Sequence, residues 1–545
     1  MSTVTPTSPA VPTTISNLAP IPQPIGNSDV VAVVQNGTTY KATAVQLAFP
    51  NNIVLPVSQG GTGNSTGNLS ALNATATGAT TSRTLAAYFS DVINVLDFGA
   101  VGNGVADDTV AIKAAIAAAN ARGGALVCFP NPSYVFNPSS IVSVGTGVTL
   151  LGNNRYGTKI ISQDTTAQLF YLTGLGSAIR RMGIVSSVTN TSGQFVQLAG
   201  EGNVLDDVYF SGDYTAINIT GVESVVNNLE FDAAASGADR IIVNCGDASP
   251  KISTIIMNAQ SAPYASSAIK LLNVVALTMS DIDCLNQGNG LEIIPGSGQG
   301  VSSVFGTNLR FDSGTYGMFC QPSSTGGVAN MQFVNFWGGN ASNTGVIANC
   351  SGSGTVKGLN FTNLQVPNSA GAGASFDGNC TDININGGLA GNCASDGVYF
   401  GNAGNVSINN FNSGAYDNFA GNTGWGIDFA TTSLTAITCT NNNVIGNTGG
   451  AIRNVATTAG QFISNNQGYN PVGYLSSQPA VPSTTVNYQN LFGVRCRVFV
   501  TGGTVTAISI NGTATGLTAG TFEVENGDNI SWTGSGAPTW KWFGI

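Results

Sequence analysis

Histidine is absent from all 545 residues. That excludes Ser-His-Asp and Cys-His nucleophile systems and His-ligated zinc. Acid–base chemistry in this chain falls to Asp, Glu, Tyr, Lys or Arg. Charge is also scarce: 8% of residues are Asp, Glu, Lys or Arg, against roughly 25% in ordinary globular proteins. The net charge is -10, and Lys and Arg form no cluster of the kind a nucleic acid partner requires. No apolar run reaches the ~18 residues of a membrane span, so no membrane insertion is expected. The opening "MSTVTPTSPAVPTTISNLAP" lacks the basic start and apolar core of a secretory signal. Nine cysteines, an odd number, are scattered without metal-ligand spacing. They read as buried thiols made in a reducing cytoplasm, not as a disulfide framework. No metal and no cofactor are expected.

What the chain does have is 71 glycines and 42% hydrophobic residues. Such a chain is not disordered, and its composition suits short stacked strands with tight turns. Six prolines fall in residues 1–25, which should be extended. "DVVAVVQNGTTYKATAVQLA" reads as two strands around an Asn36-Gly37 turn, followed by a short helical piece. "PVSQGGTGNSTGN", residues 56–68, is a linker by composition. One segment is clearly helical. Asp107 or Asp108 is placed to cap its start, and Ile112, Ile116 and Ala119 share one face. Arg122 lies in its last turn, and Gly123-Gly124 stops it.

From about residue 147 onward a phrase recurs: "VLDDVYF", "VVNNLEF", "LTMSDIDC", "VFGTNLRF", "MQFVNFW", "LNFTNLQV", "INING" and "VSINNF". Self-similarity at this period points to a solenoid. Strands this short without intervening helices point to a parallel β-helix of roughly ten to thirteen coils. An Asn or Asp marks the middle of most phrases: Asp207, Asn228, Asp281, Asn308, Asn335, Asn363 and Asn410. Stacked coils would align these residues as a ladder that stabilises a bend through side-chain-to-backbone bonds. A solenoid also exposes its apolar interior at the first coil, so the Ile face of the helix is expected to cover that end.

The stretch "NVLDFGAVGNGVADDTVAIKAAIAAAN", with "GGALVCFPNPSYVF" and "GVTLLGNNRYGTKI", resembles the pectate-lyase-like start of right-handed parallel β-helix proteins, common in bacteriophage tailspikes and tail fibres. The likeness covers about residues 91–161. It departs at Val101, where Lys is usual, at Asn103, where Asp is usual, and at Asn131-Pro132, near a usual Pro-x-Gly turn. "ISNLAPIPQPIGNSDVVAVVQNGTTYKATAVQL" resembles the virion-attaching start of phage tail proteins, and the Gly-Gly-Thr-Gly segment resembles a linker of tail fibres. The resemblance implies a homotrimer, made in the host cytoplasm, that docks on a phage tail or baseplate protein and reaches toward a host surface glycan. It divides the chain into an attachment region (1–55), a neck (56–90), a cap helix with first strands (91–146), a parallel β-helix (147–475) and a small C-terminal all-β domain (485–545).

Carbohydrate-cleaving relatives of this kind use paired carboxylates. In the aligned phrases one outward column reads Tyr209, Glu230, Met257, Asp283, Arg310, Trp337 and Gln365, with Asp232 and Asp312 two residues on. Glu230, Asp232, Asp283 and Asp312 are the candidate catalytic carboxylates, and Tyr209, Arg310 and Trp337 the candidate glycan contacts. The competing reading makes these outward charges merely solubilising. Trp532, Trp540 and Trp542 crowd the last fourteen residues, where they form a core, a trimer interface or a sugar platform. The resemblance carries no chemistry by itself. A polygalacturonase-type Gly-His-Gly is impossible without His, and the clustered Asp of calcium-dependent pectate lyases is not found. Three readings remain: a tailspike that binds a glycan and either cleaves it by hydrolysis or elimination or only holds it; a purely structural tail component; and a secreted bacterial glycanase, disfavoured by the start of the chain.

Overall fold

The computed structural model describes residues 30–35, 38–43, 72–130, 132–232, 237–258, 265–350, 352–456 and 461–545. The chain divides into two compact units, 1–91 and 92–545. In the first, Val30–Gln35 and Thr38–Thr43 pair antiparallel with Gln35 opposite Thr38. The Asn36-Gly37 turn, most of the attachment region and most of the neck lie outside the described residues. A second pair, Asn73–Ala74 with Arg83–Thr84, leads into a short helix, Leu85–Phe89, and Arg83 pairs with Asp91 at 2.8 Å.

The second unit is built on one 31-stranded sheet wound as a parallel β-helix of about 13 turns. Its first strand, Val92–Asn94, pairs with Leu126–Cys128. The solenoid sheet therefore starts inside the segment read as cap helix and first strands. Bends of the coil recur as residues in the left-handed region. One column is Asp207, Asn228, Asp281, Asn308, Asn335, Asn363 and Asn410; another is Asn286, Ser313, Asn340, Asn368 and Asn392; all have φ between +53° and +60°. This conformation costs most L-residues ~1–2 kcal/mol, and Asn and Asp tolerate it through local hydrogen bonds. Stacking adds a second role. Asn308 donates to Asp281 at 2.9 Å, Asn335 to Asn308 at 2.9 Å and Asn363 to Asn335 at 3.0 Å.

Between the bends, alternate residues turn inward and stack turn on turn. Phe376, Phe400 and Phe429 lie nearly parallel, with ring centroids 5.4 Å apart at each step. All nine cysteines are free thiols, seven buried and two half-buried. The helix Thr109–Ala121 buries Ala111, Ile112, Ala115, Ile116 and Ala119 in the same core as Val95, Val127 and Leu150 of the first turns. Its start differs in detail from the expected cap. Asp108 occupies the N-cap position without a side-chain bond to the helix; its carboxylate instead accepts from Val101 N at 2.6 Å and from Gly102 N. Asp107 makes the local bond, accepting from Thr109 N at 2.9 Å. One aspartate thus starts the helix and its neighbour ties back the preceding loop.

The last solenoid strand is Phe462–Ser464. Gly473–Tyr474, read as part of the β-helix, instead pairs antiparallel with Phe543 and Gly544 of the C-terminal domain. A partner so distant in sequence leaves no trace in the repeat. That domain holds two four-stranded antiparallel sheets. Trp532, Trp540 and Trp542 are all buried inside it. Trp540 and Trp542 meet edge to face at 5.7 Å. Trp532 Nε1 donates to the Pro482 carbonyl at 2.9 Å, and Trp540 Nε1 to that of Pro479 at 2.8 Å. Trp540 and Trp542 are part of the core of this domain, and Trp532 is buried beside Pro482.

Candidate functional site

Strand register aligns one outward position of successive turns: Lys159, Gly183, Tyr209, Glu230, Ile256, Asp283, Arg310, Trp337 and Gln365. This corrects one member of the expected column. Met257 pairs with Phe231 and Cys284 and is 0% exposed, whereas Ile256 is 51% exposed. A slip of one residue moves a side chain to the other face of a strand. The slip arose here because Thr254, not Asn or Asp, holds the left-handed bend of this turn (φ 54°).

The four candidate carboxylates form two groups. Glu230 and Asp232 share a cleft of about 360 Å³ with Tyr156, Lys159, Tyr209, Phe231, Ile256 and Asn258. The Tyr156 hydroxyl donates to Glu230 Oε2, and the Tyr209 hydroxyl to Asp232 Oδ2 at 3.1 Å. The two phenol rings are 5.6 Å apart. Arg155 bonds Asp207 at 2.7 Å and lies 3.5 Å from Glu230 Oε2. The bond to Glu230 raises the Tyr156 pKa above its usual value, and burial, followed by the nearby Asp232 charge, raises that of Tyr209. Both phenols are therefore donors at neutral pH.

The second group lies past the Ile256 turn. Arg310 sits between Asp283, at 3.4 Å, and Asp312, at 3.7 Å. Asp312 also accepts from Asn340 at 2.7 Å and from Ser313 at 3.1 Å. Trp337 follows on the next turn, its indole packed over Gly339, where a Cβ would stand 2.8 Å from the ring. Glu230 and Asp283 are two turns apart, ~10 Å along the axis.

Arg155 and Tyr156 had no part in the expected site. They come from the turn after Leu151, before the first repeated phrase, and Tyr156 lies 74 residues from Glu230 in sequence. Gly183 makes room for them: a Cβ there would stand 2.9 Å from the Arg155 carbonyl. Among the described residues no group of three or more His, Cys, Asp or Glu is arranged to hold a metal ion.

The chain is similar to several known proteins. A family model described as rhamnogalacturonase A/epimerase, pectate lyase-like, matches residues 92–192. Mannuronan C5-epimerase AlgE1 of Azotobacter vinelandii is 61% identical over 41 residues, 8% of this chain and 3% of the epimerase. The chain thus spans a few per cent of the length of the curated relatives it matches. Tailspike protein 3 of bacteriophage CBA120 superposes with a TM-score of 0.55 at 16% identity, covering 84% of this chain and 75% of that one. Azotobacter vinelandii AlgE6 A-module aligns at 15% identity and a TM-score of 0.42, over 69% of this chain and 98% of the module. The chain has the parallel β-helix fold of a phage tailspike, with a pectate-lyase-like segment at its start.

Proposed function

We propose that this chain is a phage tailspike that binds a host surface polysaccharide along its outward strip. The observation that carries the reading is the cleft where Tyr156, Tyr209, Glu230 and Asp232 converge. Sugar rings offer C–H faces that pack on aromatic rings and hydroxyls that donate to carboxylates. A plain spacer gives no reason for two tyrosines, two carboxylates and Arg155 to be locked together on one face. The strip runs from Tyr209 to Gln365, roughly 29 Å at ~4.8 Å per turn, the reach of an oligosaccharide.

The proposal includes a homotrimer, a virion location and docking of residues 1–55 on a tail or baseplate protein. It is supported by the order of segments: a Pro-rich start, a Gly-rich neck, then a β-helix. Purified protein should compete with phage for adsorption to the host. Host cells that take up phage normally in its excess would favour the structural-component reading. Glu230 and Asp232 are the place where cleavage would occur. Release of reducing ends from host polysaccharide, abolished by Glu230→Gln, is the test of hydrolysis.

A further inference from the structure

We infer that the glycan this strip takes is an uncharged polysaccharide and not a polyuronate; the inference rests on the glycan-binding reading above. Six carboxylates lie on the strip or in the bend column beside it: Asp207, Glu230, Asp232, Asp281, Asp283 and Asp312. Four cations accompany them: Arg155, Lys159, Arg181 and Arg310. Two of the guanidiniums are committed. Arg155 is held by Asp207 and Glu230, and Arg310 by Asp283 and Asp312. At either of these arginines a uronate would have to displace a protein carboxylate and then lie beside it; Lys159 can serve one unit of a polyuronate at most, and it shares its cleft with Glu230 and Asp232.

The surroundings do not reverse this balance. Residues 233–236 and 259–264, outside the described residues, contain no Asp, Glu, Lys or Arg, and the chain as a whole carries -10. Like-charge juxtaposition acts against a partner chiefly by exclusion. A polyuronate brings a negative charge on every unit, so the penalty recurs along the strip. An uncharged glycan meets what it needs: carboxylate acceptors for its hydroxyls, the phenol rings of Tyr156 and Tyr209, the exposed Ile256 side chain, and Trp337. Hydrogen bonds from neutral hydroxyls to ionised carboxylates are among the stronger ones.

The test uses the full chain and an array of bacterial surface polysaccharides, neutral and uronate-bearing, together with alginate and polygalacturonate, with and without calcium. The expected result is saturable binding confined to neutral glycans, little changed between low and high salt, and weakened about tenfold or more by Glu230→Gln. The double variant Asp283→Asn/Asp312→Asn, which releases Arg310 on an exposed face, should gain polygalacturonate binding that high salt abolishes. Wild-type binding to uronates that Glu230→Gln removes overturns the inference and leaves the glycan-binding reading standing. No binding to any glycan, or binding that Glu230→Gln leaves unchanged, overturns the reading and the inference with it. A double variant still blind to uronates shows that charge is not what excludes them, and overturns the inference alone.

Discussion

Arg240 donates from Nη2 to the backbone carbonyl of Asp232 at 2.6 Å, while its Nη1 pairs with Asp213 at 2.9 Å. Both side chains of the pair are 0% exposed, which holds for no other ion pair among the described residues. A buried pair is expensive to break, because the remaining charge is left uncompensated. Its bond to the residue that follows the Glu230 strand links solenoid stability to the cleft. Arg240→Met is expected to destabilise the protein by ~3–5 kcal/mol, read as a lower urea midpoint. Arg240→Met with Asp213→Leu should recover most of that loss. If Arg240 fixes Asp232, glycan affinity stays low in the double variant although stability returns. Affinity restored along with stability would give the pair a structural role only.

The bend column predicts a stabilising substitution. Thr254 is a β-branched residue at φ 54°, between Asn228 and Asp281 of the neighbouring turns. Its side chain cannot offer what Asn offers at that conformation. Thr254→Asn should raise stability by ~1 kcal/mol, through relieved backbone cost and a restored ladder bond. In the intact ladder, Asn335→Ala should do the reverse, because Asn335 bonds both Asn308 and Asn363. Urea denaturation of the two variants decides it. A destabilised Thr254→Asn would show that the bend does not select its residue by this route.

The two cleft tyrosines set an alkaline limit. Their folded pKa values are raised above the unfolded value near 10, Tyr156 first by its bond to Glu230 and Tyr209 first by burial. A raised folded value means the neutral phenol is the form favoured by folding. Its contribution is complete below about pH 10 and is lost as pH rises through the higher folded value. Glycan affinity should therefore stay flat across neutral pH with respect to these groups and fall only in the alkaline range. Phenolate absorbance followed with affinity checks the assignment, and Tyr156→Phe with Tyr209→Phe should remove that limb. A loss of affinity near pH 8 that survives both substitutions would assign it to another group.

Much of the fold was legible because the bends carry a chemical mark. Asn308, Asn335 and Asn363 recur 27 to 28 residues apart, and the residue type follows from the left-handed conformation. Ile112 and Ile116 likewise announce a helix with one buried face. Where the mark is missing, as at Thr254, the register is open to a one-residue shift that exchanges Ile256 for Met257. The tryptophans show another limit. Alternation places Trp540 and Trp542 on one face, but which face is inward depends on Val498 and Val500 of a strand some forty residues earlier. The cleft was half legible. Glu230 and Tyr209 lie on repeated phrases and Asp232 directly follows one, whereas Arg155 and Tyr156 reach it from a turn that belongs to none.

Gly183 tests how far the cleft depends on that turn. It occupies the outward column between Lys159 and Tyr209, so its missing side chain is a notch in an otherwise filled strip. A Cβ there would approach the Arg155 carbonyl to 2.9 Å and Lys159 Cγ and Tyr209 Cδ1 to 3.5 Å. The first contact is with backbone, which must move; the other two are ordinary packing distances. Gly183→Ala is therefore expected to lift the turn that bears Arg155 and Tyr156 away from the strip. The Tyr156–Glu230 bond and the Arg155–Glu230 approach then lengthen together, while the core beneath, formed by Met182 and Ile184, is untouched. The thermal midpoint should change little. Glycan affinity should fall by about tenfold, on the order of 1.4 kcal/mol. A crystal structure of the variant with Tyr156 still on Glu230 would show that Gly183 does not hold the turn in place; full affinity in spite of a displaced turn would remove this turn from the binding site and leave Tyr209, Glu230 and Asp232 to account for it alone.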